Sequence, residues 1–220
     1  MPRVGRVPAE RRGDAGLTVA PMRIKSQWFR EDAQKGATEI ASAAAFIVWR
    51  IGKNALENMR KAGYGLPPGP PYFAFLAEFL AFLVAAADRI AYAKRDAGWR
   101  VEFTTATANH VGETLAGNEA DLLGADPAES KRRFIALVNQ RAADYADYGW
   151  SDAGPEYGFI RGFGHFVSET LPEAGDRSWA ISQVIEVEAP EGVEMLQKAM
   201  AGLLGEAPRR KRRAAGATGE

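Results

Sequence analysis

Residues 71–87 read PYFAFLAEFLAFLVAAA. The run approaches the length of a membrane-spanning helix, which needs about 20 apolar residues. Glu78 stands near its middle, and Asp88 and Arg89 follow at once. A carboxylate at bilayer depth costs about 3 kcal/mol. The run therefore reads as a buried core helix over about 71–96, with Pro71 in the first turn, where its missing N–H goes unneeded. On a helical wheel Phe73, Phe75, Leu76, Phe79, Leu80, Phe82, Leu83 and Ile90 cover one broad side. Ala74, Ala77, Glu78, Ala81, Ala85 and Asp88 form the narrow side opposite.

Working outward, the preceding segment is also helical, over about 32–62. Ala37, Ile40, Ala41, Ala44, Ile47, Val48, Ile51 and Ala55 repeat at the three- and four-residue spacing of one helical face. Gly63-Tyr64-Gly65 stops it, and the connector LPPGPP (66–71) is stiff. Downstream, a helix over 97–123 carries a weaker stripe of Val101, Thr105, Ala108, Val111, Leu115 and Leu122, and Gly124 ends it. Asp126-Pro127-Ala128-Glu129 reads as a helix start, with Asp as cap, Pro at the first position and Glu reaching back. The helix from 127 to about 147 follows, carrying Phe134, Leu137, Val138, Arg141, Tyr145 and Tyr148 on or near one stripe. Residues 149–154 read as a loop and 155–170 as a helix with an aromatic face. Asp176 caps a helix over 177–188, Ala189-Pro190 breaks it, and a last helix spans 190–204. The strand-like run SQVIEVEA (182–189) stays helical in this reading, and no β-hairpin is expected. The fold class is all-α: a single globular bundle of six or seven helices over 22–205.

Hydrophobic content of 46% with 25% charged residues is ordinary for a globular chain and argues against disorder throughout. Net charge is zero but unevenly spread. Residues 1–21 hold four Arg against two acids, and residues 206–220 hold five basic residues against two acids, leaving the body acidic. Both ends read as disordered basic tails, and Met22 is a candidate translation start. An acidic body does not favour nucleic acid. Such contact would fall to the tail residues Arg209, Arg210, Lys211, Arg212 and Arg213, which more often form a solvated end. The chain has no cysteine, which excludes disulfides and thiolate chemistry and fits a cytoplasmic protein. The first 21 residues lack the apolar core of a secretory signal.

The stretches SQWFRE (26–31), FIVWRI (46–51), YFAFLAEFLAFLVAAADRIAYA (72–93) and DRSW (176–179) resemble a group of uncharacterised bacterial helical proteins. The resemblance covers roughly residues 24–204. It implies a soluble helical body with tails outside it, and it brings no activity, ligand or catalytic residue.

Chemistry-bearing residues are few. Glu78 and Asp88 on the small-residue side of the central helix suit a ligand groove, with Arg141 as a further polar group. The bland alternative is a close helix contact in which Asp88 pairs with Arg89 or with a base on another helix. His110 has Glu113 three residues on, and His165 has Glu169 four residues on. Di-metal bundles use Glu-x-x-His on two helices. Here the order is reversed and the spacings differ, so no metal or cofactor is assigned. Gly158, Gly162, His165 and Glu169 share one stripe opposite a phenylalanine face. Glycine in a helix costs about 1 kcal/mol relative to alanine, which close packing or a ligand or partner surface would offset. Trp28, Tyr148, Trp150 and Tyr157 are candidate partner anchors, or end-covers of the core. No phosphate loop, dinucleotide fingerprint or nucleophile elbow is present. The leading expectation is a non-enzymatic accessory or adaptor protein that contacts another protein or itself. The alternatives are a helical small-ligand binder or enzyme with a pocket near the central helix, and a nucleic-acid-associated regulator using the tails.

Overall fold

A computed structural model describes residues 35–172 and 176–205. The expected arm, the Met22 start, Trp28 and the tail Arg209–Arg213 lie outside the described residues. Helix α1 spans Ala37–Lys61, α2 Pro70–Tyr92, α3 Ala97–Leu123 and α4 Pro127–Asp144. A two-residue ladder, β1 (Trp150–Ser151) with β2 (Gly154–Pro155), precedes α5 (Tyr157–Thr170). Helix α6 (Arg177–Gln183) runs through a π-helical turn (Val184–Glu188) into α7 (Ala189–Leu203). Counted with that run as one, six helices pack together among the described residues.

Helix α2 is the centre. It touches α1, α3, α4, α5 and α7. Phe75, Phe79, Leu80, Phe82 and Leu83 are fully enclosed with Ala86 and Ala87, and so is Ala81 from its small-residue side. A helix that is apolar nearly all round finds its lowest free energy wrapped by other helices. Each enclosed Phe or Leu contributes about 1.5–3 kcal/mol relative to exposure. The rings interlock: Phe82 stacks on Phe163 at 4.2 Å between centroids, and Phe79 meets the same ring edge-on at 5.1 Å. No helix of the described residues is long and apolar enough to cross a membrane.

Most helix ends follow the sequence signals. The start of α3, for which no cap was expected, is capped by Asp96, which accepts from Trp99 N at 3.0 Å. Gly124, at φ 68°, ends that helix in the left-handed conformation. Asp126 caps α4, accepting from Ala128 N at 2.7 Å and Glu129 N at 3.1 Å. Glu129 pairs with Arg132 and does not close a capping box. Asp176 caps α6 through Trp179 N at 2.9 Å.

Four expectations are corrected. In α3, Val101 and Leu122 are exposed (65% and 69%), as is Thr105. The buried row is Phe103, Thr107, Val111, Leu115 and Glu119, because α3 lies between α1 and α4 and two polar residues share the inward row. Helix α4, expected to run to about 147, ends at Asp144, so Tyr145 and Tyr148 of its stripe lie beyond it; Phe134, Val138, Arg141 and Tyr145 are buried and Leu137 and Tyr148 half-buried. Residues 149–154 hold part of a hairpin, with Trp150 opposite Pro155 and Ser151 opposite Gly154, too short to show alternation. Finally, Pro190 does not break the chain. A proline ring clashes with the carbonyl four residues back and offers no N–H to it. The wider turn lets Ala189 N reach the carbonyl of Val184, so the helix continues.

Candidate functional site

The two carboxylates of α2 sit about 15 Å apart, ten residues at 1.5 Å each. Each has its own partner. Glu78 is buried and meets Arg141 of α4 in a bidentate pair, Nε to Oε2 at 2.8 Å and Nη2 to Oε1 at 2.7 Å. Arg141 Nη1 donates to Asp144 at 2.7 Å, and its guanidinium lies 3.7 Å from the centre of the Phe166 ring. The hydrogen bonds to Glu78 raise the pKa of Arg141 and keep it charged. Alongside, Tyr145 stacks on Phe159 at 4.4 Å. Its hydroxyl is buried with no hydrogen-bond partner among the described residues. Burial raises its pKa, Glu78 adds to the rise, and Arg141 opposes it.

Asp88 lies at the edge of a cleft between α2, α3 and α4. It accepts from Arg100 Nε at 2.7 Å, Arg100 Nη2 at 2.8 Å and Thr104 Oγ1 at 2.7 Å. Arg100, not Arg89, is its cation. Its hydrogen bonds raise the Arg100 pKa. Arg89 instead donates to the carbonyls of Tyr145 (2.7 Å) and Ala146 (3.1 Å), holding the end of α4.

Two further buried carboxylates escaped the sequence reading. Glu119 accepts from Ser130 and from Arg133 at 2.8 Å across the α3–α4 contact. Glu188, in the π-helical turn, accepts from Gln183 at 3.0 Å and Asn58 at 3.3 Å. The signal for Glu119 was its four-residue step from Val111 and Leu115, which its charge obscured.

The remaining candidates lie apart. His165 and Glu169 are 3.8 Å from each other but 69% and 61% exposed, on the solvent side of α5. His110 faces Glu113 at 3.6 Å, also in solvent. No group of three or more metal-ligating side chains occurs among the described residues. Gly158 and Gly162 are the bed for the Tyr148 ring: a Cβ on Gly162 would stand 2.8 Å from Tyr148 Cε2, and one on Gly158 3.2 Å from Cδ1. The glycine stripe is therefore a close contact inside the chain, filled by one of the tyrosines expected to anchor a partner. Trp150 meets Phe159 edge-on at 5.3 Å and covers the end of the core. Tyr157 alone of the described aromatic candidates is strongly exposed, at 70%.

An open apolar surface lies elsewhere, at the C-terminal ends of α1 and α3. Leu122 (69% exposed) and Leu123 (40%) border a groove of about 500 Å³ whose wall is the Leu66–Gly69 connector and whose floor includes Tyr72 and Phe73. Lys53, Glu57 and Arg60 form its α1 edge. A second depression of about 430 Å³ adjoins it, sharing Phe73 and Leu123 and reaching Glu119 and Arg133. Nothing in the apolar spacing of α3 flagged this groove, because Leu122 read as a core position. Compared with known proteins, the chain matches no family model, no curated protein and no solved structure.

Proposed function

We propose that this chain is a non-enzymatic accessory or adaptor protein that acts through protein–protein contacts, in the cytoplasm. One observation carries the reading: polar and apolar groups are matched in opposite ways inside and outside. Arg141 answers both carboxylate oxygens of Glu78, and Asp88 and Glu119 each have a cationic partner and a hydroxyl partner within the chain. A charge so paired is held in place by its hydrogen bonds, which are spent inside the chain. The open surface, by contrast, is a leucine-edged groove with a stiff proline wall. Preformed apolar grooves of this kind bind side chains with little loss of conformational freedom.

Leu122→Asp with Leu123→Asp is the test. Cross-linking in native cells, followed by mass spectrometry, should recover a defined protein with the wild-type chain and lose it with the double variant. Recovery of the same protein with both chains would move the contact elsewhere. Failure to recover any protein, this chain included, would remove the reading.

A further inference from the structure

The groove at the ends of α1 and α3 belongs to the surface just proposed, and its charges narrow the choice of occupant. Lys53, Glu57 and Arg60 lie four and three residues apart, along one edge of α1. None of the three makes an ion pair among the described residues. The edge therefore carries both signs, unpaired, beside an apolar strip.

A patch that binds its own copy about a two-fold axis must contain both halves of every contact, because residue i meets j while j meets i. A rim of one sign would repel itself. This rim does not. If two α1 helices cross antiparallel with the axis midway between positions 57 and 60, each Glu57 faces the Arg60 of the other copy. Two reciprocal ion pairs result. Leu122 and Leu123 are the pair that gains most from cover: two adjacent leucines, 69% and 40% exposed, at the end of a helix. Burying a leucine side chain contributes about 1.5–3 kcal/mol relative to exposure. The Leu66–Gly69 wall, stiffened by Pro67 and Pro68, is preorganised for it.

We propose that a second copy of this chain occupies the groove, forming an isologous dimer in which Glu57 and Arg60 pair reciprocally and Leu122 and Leu123 are covered. The inference rests on the reading of the groove as a protein-contact surface and adds the identity of the partner.

Sedimentation velocity on the full chain, across the micromolar range, tests it. The wild type should reach a dimer. Leu122→Asp should sediment as a monomer. Glu57→Arg and Arg60→Glu should each weaken dimerisation about tenfold or more, the effect of losing a charged contact. The double variant Glu57→Arg with Arg60→Glu should restore it, because the swap rebuilds both pairs only if the partner carries the same two changes. Circular dichroism establishes that each variant is folded. A wild type monomeric at every concentration overturns the inference. So does a dimer indifferent to Leu122→Asp, or a double charge swap, folded, that fails to recover. A monomer that nevertheless loses a heterologous cross-linked protein on Leu122→Asp would sink the dimer and leave the adaptor reading standing.

Discussion

Glu78 and Leu122 occupy opposite kinds of place. Glu78 is a charge 6% exposed at the middle of the bundle, and Leu122 is an aliphatic side chain 69% exposed at its end. Burial of the charge is tolerated because Arg141 answers both carboxylate oxygens and Asp144 and Phe166 engage the rest of the guanidinium. Exposure of the leucine is tolerated because a solvent-facing apolar group costs little stability. The first exception is closed by partners inside the chain, and the second is left open. That contrast locates the interior's constraint on α2 and α4 and the outward-facing chemistry at the tip of α3.

The largest way to break the contrast is Glu78→Ala. It leaves the Arg141 charge buried with half its partners, and should destabilise the fold by about 3–5 kcal/mol in urea unfolding. Replacing both partners by apolar residues of similar size, Glu78→Leu with Arg141→Met, should recover most of that loss. Gly162→Ala comes next. The new Cβ would press on the Tyr148 ring, which Tyr145 confines, so overpacking should outweigh the gain in helix propensity and leave a net loss of about 1–2 kcal/mol by the same measurement.

A smaller, pH-dependent effect belongs to Glu113. The hydrogen bond from Lys131 holds its carboxyl below the ordinary 4.5. A depressed folded-state value adds stability above the unfolded value, and that stability is lost as pH falls through the folded one. Glu113→Gln should therefore flatten a shallow part of the stability profile below pH 4.5, read by thermal unfolding across acid buffers. Because Glu113 is an exposed group, solvent screening keeps this change small. The smallest effect sharpens the contrast. Leu122→Asp, measured at a concentration where the chain is monomeric, should change the stability to unfolding by no more than about 0.5 kcal/mol, since that side chain is 69% exposed.

Much of the fold was readable because its signals are local. Asp126 and Asp176 mark helix starts by side-chain hydrogen bonds within three residues, and Gly63 and Gly124 mark ends by positive φ. The apolar spacing of α1 placed Ile40, Val48 and Ile51 inside, where they are. What failed was whatever depended on a neighbour. Thr107 and Glu119 face inward because α1 and α4 flank α3, and no property of α3 alone announces that. The partner of Asp88 lies twelve residues away on α3, where spacing within α2 cannot point to it. Of the ligand set expected from sequence, His165 and Glu169 face each other along α5 in solvent, and only Glu78 and Arg141 meet across two helices. Their charges were visible, but the 63-residue separation that α2 and α4 bridge was not.

The stretch Val184–Glu188 has a consequence for the register of the last helix. One extra residue per turn rotates everything beyond it by about 100° relative to an unbroken α-helix. The side that α6 turns toward α5 and the side that α7 turns toward α1, where Gly192 admits Ile51 to van der Waals distance, are thus set separately within one continuous rod. Deleting a single residue there would return the rod to α-helical register and bring the Pro190 ring against the carbonyl four residues back. It would also swing one half of the rod a quarter-turn off its mate, so the phase of this helix is encoded by an insertion rather than by the pattern of its apolar residues.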